Sequence, residues 1–309
     1  MDPATVRRIV LPNGLTALLR RDETAPVVAI VTYVKAGYFD ETDDVVGIAH
    51  VLEHMFFKGT RARPVGAISK ETKAAGGYLN AGTIYDHTSY YTVLPAASFA
   101  RGLDIQRDAY ADSVIDAEEL AKELEVIIQE AKRKADNPSA VATETLFELL
   151  HDVHRVRRWR IGREDGLRRL TRDDLVRFYR NFYRPRSTIL TIVGKIDLDD
   201  AAKEIERLYG SLEDIPVERH PGPSEPAHEE FRYRELDGDI TQTQLSFGWC
   251  TPGTLHPDTP LLELAGTMLG SGRGSRLYRA VRERKLATSV QAYDYTPTDV
   301  GVFVIHAEG

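Results

Sequence analysis

Two histidines and a glutamate lie close together in the stretch GIAHVLEHMFFKGT, residues 47–60. His50 and His54 are one helical turn apart, so a helix would place both side chains on one face, with Glu53 beside them. Two imidazoles in this spacing can bind one metal ion, and the carboxylate can accept a proton from a water molecule that the metal activates. The neighbouring residues are apolar, and burying three ionisable groups among them is costly unless a metal compensates them. The stretch therefore predicts a metal centre on a helix.

The alternative interpretation is two helical histidines near a surface glutamate, with no metal. The chain has 9 histidines and 47 acidic residues, and this composition gives about 0.04 chance matches to the spacing His-x-x-Glu-His per chain. The metal site is therefore the favoured interpretation. A catalytic zinc site uses three protein ligands and one open position, so the third ligand must come from elsewhere in the chain.

The acidic segment DAEELAKELEVIIQEAKRK, residues 116–134, offers candidates for this third ligand. Glu123 and Glu130 are two helical turns apart and share a face, and Val126 and Ile127 fall on much the same stripe. The pattern predicts two carboxylates on a buried stripe. The other acids of the segment fit a solvated face better: Glu118, Glu119 and Glu125. Periodicity alone does not select Glu130 as the ligand.

The elements that must position these residues follow from periodicity and turn signals. RRIVL and LTALLRR flank the turn PNG and predict a hairpin, and the β-branched run at 26–37 is typical of a central strand. We expect the motif helix at about 45–57 and a helix at about 171–183 with Thr171 as its N-cap. Further helices are expected near 97–112, 116–136 and 140–153, and further strands at GYLNAGTIY, TSYYTVLP and STILTIVGKID. This order predicts an α+β fold, a two-layer α/β domain with a mostly antiparallel sheet.

The domain organisation follows from an internal repeat. Residues 214–231 are rich in proline and charge and predict a linker between a first domain, 1–213, and a second, 232–309. In the second domain, TQTQLSFGWCTPG matches the long strand and LLELAGTMLGSG matches the motif helix, without its histidines. This copy has about 80 residues where the first has about 210. We therefore expect a repeated fold whose second copy is truncated and shapes the cleft.

Composition argues against several classes of function. The net charge of −7 disfavours a nucleic-acid partner, because phosphate binding needs a positive surface. Cys250, the single cysteine, cannot form an internal disulfide or a thiolate zinc site alone. No apolar run approaches the roughly 18 residues that span a bilayer. No secretory signal is visible, which favours the cytoplasm, with the periplasm as the alternative if the N-terminus is incomplete.

The sequence resembles the M16 family of zinc metallopeptidases, which includes insulin-degrading enzyme, pitrilysin and mitochondrial processing peptidase, and resembles its short bacterial members most. The motif His-x-x-Glu-His inverts the thermolysin order, and PNGL, EHMFFKGT, GGYLNAGTIYDHTSYY, FYRNFYRP and SRLYRAVRERKLATSV follow in the family's order. The resemblance implies that His50, His54 and Glu130 bind one Zn²⁺ per chain and that Glu53 is the general base. It also implies that Glu123 orients the site.

The resemblance extends to substrate contacts. The strand GYLNAGTIY matches the family's substrate edge, where a peptide adds as an extra strand, and Asn80 and Ala81 match its Asn-Ala pair. A turn or strand-end role is the alternative for Asn80. Many active members carry an arginine and, seven residues later, a tyrosine that contact the scissile carbonyl. Here Arg282 is followed at a spacing one residue shorter by Thr288.

These features predict a zinc endopeptidase that hydrolyses short or unfolded peptides. The missing tyrosine fits a homo- or hetero-oligomer in which another M16-type subunit completes the site, or a weak enzyme. The alternative is a non-catalytic M16-like peptide-binding or assembly subunit, as some relatives in respiratory complexes are. Loss of the metal ligands usually marks that second class, and here the ligands are present.

Overall fold

The structure, a computed structural model, describes residues 6–227 and 230–309. Residues 1–5 of the predicted first domain and 228–229 of the predicted linker lie outside the described residues. The chain forms two compact units, Met1–Ile128 with Arg163–Pro221 and Gln129–Gly162 with Gly222–Gly309. This division gives residues 129–162 to the second unit, whereas the sequence-based boundaries kept them in the first. The boundaries at 213 and 232 stay a prediction, since a compact unit in space need not coincide with a sequence domain.

The first unit contains a six-stranded sheet in the order β1-β2-β6-β3-β5-β4. Its strands are β1 Arg7–Val10, β2 Thr16–Arg21, β3 Val27–Val34, β4 Tyr78–Thr83, β5 Thr88–Pro95 and β6 Thr188–Gly194. Neighbouring strands are antiparallel except β2 and β6, which are parallel. The predicted hairpin, the central position of β3 and the mostly antiparallel sheet are therefore confirmed.

Among the described residues before the predicted linker, the chain forms eight α-helices. They are α1 Ile48–Met55, α2 Ala67–Ala74, α3 Phe99–Asp112, α4 Ala117–Ala135, α5 Pro138–Leu150, α6 Glu164–Leu167, α7 Arg172–Phe182 and α8 Leu198–Tyr209. The predicted helices are confirmed to within a few residues at each end. Thr171 is the N-cap of α7, because its side chain accepts a hydrogen bond from the Asp174 amide in a reciprocal capping box.

Helices cover one face of the six-stranded sheet. In β3, Val28, Ile30, Thr32 and Val34 are fully buried, while Ala29, Val31 and Tyr33 between them are half-exposed. Helix α3 lies against the buried face, since a Cβ atom at Gly102 would meet the Leu94 side chain at 2.7 Å. Alternation along the strand thus places one layer of helices on one layer of sheet. The predicted two-layer α+β architecture is confirmed.

The second unit repeats this strand order on a smaller scale. Its elements after the linker are β7 Gln244–Pro252, α9 Thr259–Gly270, β8 Ser289–Tyr295 and β9 Val300–Glu308. The antiparallel sheet runs β7-β9-β8, as β3-β5-β4 does in the first unit. Helix α5 packs on it, because a Cβ atom at Gly248 would lie 2.7 Å from Leu150. The predicted repeat of long strand and helix is confirmed.

Among the described residues, no helix is both long enough and apolar enough to cross a membrane.

Candidate metal centre

Helix α1 carries the motif and is held at its N-terminus by a buried carboxylate. Gly47 precedes the helix with φ +96°, a left-handed conformation that glycine adopts without a steric penalty. Glu41 is 1% exposed, and its two carboxylate oxygens accept hydrogen bonds from the backbone amides of Gly47 and Ala49, each at 3.0 Å. A carboxylate is favourable there because the first amides of a helix lack helical partners and carry positive partial charge.

The apolar side of α1 fixes the helix against the core. Five of its eight residues are buried: Ile48, Ala49, Val51, Leu52 and Met55. Phe56, directly after the helix, stacks on Tyr90 of β5 with ring centroids 3.6 Å apart. The apolar residues around the motif therefore form the surface that packs α1, and the face with His50, Glu53 and His54 remains half-exposed.

The structure brings together the three residues that the resemblance implies as ligands. One ligand atom from each of His50, His54 and Glu130 lies within 4.8 Å of the other two. Glu130 lies on α4. Two imidazole nitrogens and one carboxylate oxygen are the donor set of a zinc site with an open fourth position. The residues present therefore fit zinc.

Glu123, two turns before Glu130 on α4, contacts the second histidine. Its Oε2 lies 3.0 Å from Nδ1 of His54, which leaves Nε2 of that ring for a metal. Its Oε1 accepts from Nζ of Lys58, three residues beyond α1. Burial would raise the pKa of Glu123, but the hydrogen bonds from Lys58 and His54 outweigh it and lower the pKa below its usual value. Glu123 is thus an anion that can orient His54.

The start of α4 is fixed by contacts from α7. Ile115, just before the helix, has φ +44°, which is a strained value for a β-branched residue. Arg172 holds this turn, donating from Nε to the Ile115 carbonyl at 2.6 Å and from a terminal nitrogen to the Val114 carbonyl at 3.0 Å. The expected position of Val126 on the buried stripe is wrong, because its side chain is 49% exposed. Ile127 is fully buried, so the stripe runs on that side of the helix.

Glu53 is held by the neighbouring strand. Oγ1 of Thr83, the last residue of β4, donates to Oε2 of Glu53 at 2.5 Å. Thr83 pairs with Thr88 of β5 in the register of the sheet. The proposed general base is therefore tied to the end of the strand that the resemblance implies for substrate.

The residues expected to bind substrate lie in two places. Asn80 and Ala81 are on β4, the outermost strand of the described sheet, and the Asn80 side chain accepts from the Ala81 amide at 2.9 Å. Arg282 ends the π-helical segment Tyr278–Arg282 in the second unit. Thr288 is bound to the end of β9, because its hydroxyl donates to the Glu308 carbonyl at 2.8 Å. The substrate roles of Asn80, Ala81 and Arg282 stay predictions.

Sequence reasoning missed three residues of the site. Lys58, Glu41 and Thr83 each contact the motif helix or its partners through side-chain hydrogen bonds. Lys58 is four residues after His54, and a cation at this spacing indicated that an acidic side chain would lie near both. Glu41 and Thr83 gave no signal, because their partners are set by the tertiary fold.

Comparison with known proteins decides the family. The family model described as "Insulinase (Peptidase family M16)" matches residues 16–160, and the one described as "Peptidase M16 inactive domain" matches 169–309. A protein named "Uncharacterized zinc protease" from Rickettsia bellii is 32% identical over 96% of this chain and 72% of its own length. The chain belongs to peptidase family M16. The resemblance inferred from the sequence motifs is thereby confirmed.

Further relatives agree in sequence and fold. A protein of Bacillus subtilis named "Uncharacterized zinc protease YmxG" is 30% identical over 97% of this chain and 73% of its own length. The crystal structure of a protease from Helicobacter pylori superposes with a TM-score of 0.94 at 24% identity, covering 98% of this chain and 75% of that one. A putative M16-like peptidase from Alicyclobacillus acidocaldarius gives a TM-score of 0.84 at 23% identity, over 98% and 74%. At these identities the structural matches show the fold, and the named relatives show the zinc protease family.

Proposed function

We propose that this M16 protein is a zinc-dependent endopeptidase that hydrolyses short or unfolded peptides with one Zn²⁺ per chain. The observation that carries the proposal is the convergence of His50, His54 and Glu130, whose ligand atoms lie within 4.8 Å of one another. Glu53 stands on the same helix, one residue before His54. A third ligand distant in sequence, at the position the resemblance implies, has little other structural reason to lie there.

The chemistry divides between the ion and the chain. A bound zinc ion would lower the pKa of a coordinated water and polarise a substrate carbonyl. Glu53 accepts the proton of the attacking water on a carboxylate oxygen and then delivers it to the leaving amine nitrogen. Glu123 keeps His54 in the tautomer that leaves Nε2 for a metal, and Lys58 keeps Glu123 in place.

Peptide binding is proposed along β4. This strand is the edge of the described sheet, and an extended peptide can pair with such an edge through main-chain hydrogen bonds. Those bonds read little sequence, which suits a substrate class defined by being unfolded. Asn80 and Ala81 would contact that peptide, and Arg282 its scissile carbonyl.

A partner subunit is part of the proposal. Thr288 stands where the resemblance implies a tyrosine. A relative from Arabidopsis thaliana, 26% identical over 97% of this chain, is named "Probable mitochondrial-processing peptidase subunit beta, mitochondrial", so it is described as one subunit of an enzyme. We expect the chain to form a homo- or hetero-oligomer with another M16-type subunit that supplies a donor to the scissile carbonyl.

The decisive variant is Glu53→Gln. Glutamine keeps the volume but cannot accept the water proton, and loss of a general base costs about 10²- to 10⁴-fold in rate. Turnover of a fluorogenic peptide library should fall by that factor while zinc content, measured by mass spectrometry, stays at one per chain. Glu263→Gln is the matched control, because Glu263 is the single acid on α9, the repeat's counterpart of α1.

The outcomes separate the two functions. Full turnover by Glu53→Gln contradicts the assignment of the base. A zinc-loaded wild-type protein that binds unfolded peptides but cleaves none, alone or with an M16-type partner, supports the non-catalytic peptide-binding subunit instead.

A further inference from the structure

The contact between Thr83 and Glu53 crosses from a strand to the motif helix. The Thr83 hydroxyl is 2.5 Å from Oε2 of Glu53, at the short end of the range for hydrogen bonds between two oxygen atoms. An ionised carboxylate can only accept, so the hydroxyl is the donor. A bond to an ionised acceptor is stronger than one between neutral groups.

The alternative partner of this hydroxyl is the weaker one. Oγ1 of Thr88 lies 3.4 Å from Oγ1 of Thr83. Thr88 is 1% exposed and donates its own proton to the Ala36 carbonyl at 2.9 Å. Its oxygen can therefore only accept from Thr83, over a distance 0.9 Å longer than the one to Glu53. The Thr83 proton is directed to Glu53.

Thr83 also occupies a particular place in the sheet. It closes β4, the outermost strand of the described sheet, and its side chain lies on the opposite face of that strand from Asn80 and Gly82. A peptide paired with this edge would bind to the main chain of the strand whose last side chain holds the base. One strand thereby sets the positions of both reactants, which is the condition for efficient attack.

We propose that Thr83 is a positioning residue that fixes the Glu53 carboxylate relative to a peptide bound along β4. This inference rests on the proposed peptidase function. Among the described residues, Thr83 makes no hydrogen bond to either histidine or to Glu130, so its effect passes through Glu53.

Two substitutions at Thr83 and one control test the role. Thr83→Val keeps the β-branched shape and strand preference but removes the hydroxyl, and Thr83→Ser keeps the hydroxyl. Thr92→Val is the control, because Thr92 lies on β5 of the same sheet, is buried, and is not a partner of Glu53 in the structure. The full chain is loaded with zinc, and kcat and KM are measured separately on a fluorogenic peptide.

We expect Thr83→Val to lower kcat by about 10- to 100-fold, the effect of losing one bond to a charged group, with KM within about twofold. Thr83→Ser should stay within about threefold of wild type. Zinc affinity by chelator competition, and the visible absorption of the Co²⁺-substituted protein, should be unchanged in all variants. A crystal structure of Thr83→Val should show the Glu53 carboxylate in another rotamer.

Other results overturn the inference. A fully active Thr83→Val, or a Thr83→Ser as impaired as Thr83→Val, removes the positioning role while leaving the peptidase intact. A change in zinc affinity or in the Co²⁺ spectrum shows that Thr83 acts on the metal ligands instead. A wild-type protein without peptidase activity removes the proposed function, and this inference with it.

Discussion

The two copies of the strand-helix-strand unit differ in what their helices bury. Helix α1 has five buried apolar residues among eight. Helix α9 follows the corresponding strand, yet Leu261, Leu264 and Met268 are 64%, 56% and 52% exposed. The α9 helix also has no histidine and a single acid. The same framework thus occurs with and without the two histidines, and these are on the helix that the core holds firmly. Function here belongs to the site and not to the repeated fold.

The largest effect should be the loss of stability when a buried leucine of α1 is truncated, compared with an exposed leucine of α9. Leu52 is 1% exposed, so Leu52→Ala should lower the free energy of unfolding of the first unit by about 2–5 kcal/mol. Leu264→Ala on α9 should change stability by no more than about 0.5 kcal/mol, because its side chain is already in solvent. Hydrogen exchange of α1 and α9 amides in metal-free protein measures both. Equal losses in the two helices would remove the difference between the copies.

Zinc stoichiometry should follow the first copy alone. Loss of a residue that orients a metal ligand typically weakens binding by about 10- to 100-fold. Glu130→Gln removes a ligand itself, so it should weaken zinc binding by more than this. Glu125→Gln on the same helix should leave it unchanged, since Glu125 pairs with Arg168 in solvent. Chelator competition gives the affinities. Two zinc ions per chain, or equal affinities in the two variants, would contradict the assignment.

A smaller effect should come from the residue that orients His54. Glu123→Gln keeps an oxygen near Nδ1 of His54 but removes the charge that Lys58 compensates. We expect zinc affinity to fall by about 10- to 100-fold, less than for Glu130→Gln. Lys58→Met removes the partner of Glu123 and leaves Glu123 beside His54, so it should lower zinc affinity by less than Glu123→Gln does. An effect of Lys58→Met larger than that of Glu123→Gln would mean that Lys58 acts on the site by another route.

The smallest effect should be an acid sensitivity of the second sheet. Burial lowers the pKa of His306 on β9 below 6.5, although Glu308 acts in the opposite direction. As the pH falls below 6.5, His306 is protonated more readily in the unfolded chain than in the folded sheet. The contribution of neutral His306 to the free energy of unfolding is therefore complete above pH 6.5 and decreases below it. Hydrogen exchange of β9 between about pH 7.5 and about pH 5.5, corrected for intrinsic rates, should show this loss. β5 has no histidine and should not. His306→Gln should abolish the pH dependence, and its persistence would assign it elsewhere.

The sequence predicted what local patterns determine. Motif spacing placed His50 and His54 on one helix face, and capping chemistry placed Thr171 at the start of α7. The β-branched run predicted the central strand β3, and the internal repeat predicted its counterpart β7 in the second sheet. The choice of Glu130 needed the family resemblance, because two acids on one stripe are equivalent until the neighbouring helix is in place.

Other features depended on contacts between distant segments. Thr83 and Glu53 are 30 residues apart, and Glu123 and His54 are 69 apart, so no local pattern links either pair. The side of α4 that carries Val126 was misassigned for the same reason: seven-residue spacing defines a stripe but not its width. The grouping of α5 with the second sheet also comes from packing, through Leu146 and Leu150 against Gly248.

The motif helix has carboxylate contacts near both of its ends, from Glu41 at its first amides and from Glu123 through His54 and Lys58. A helix of eight residues is too short to be stable by its own hydrogen bonds. These contacts and the core therefore keep its backbone in place whether or not an ion is bound. An ion entering or leaving such a site does so without a folding transition, so metal exchange should be limited by ligand dissociation and should not expose α1 to proteases.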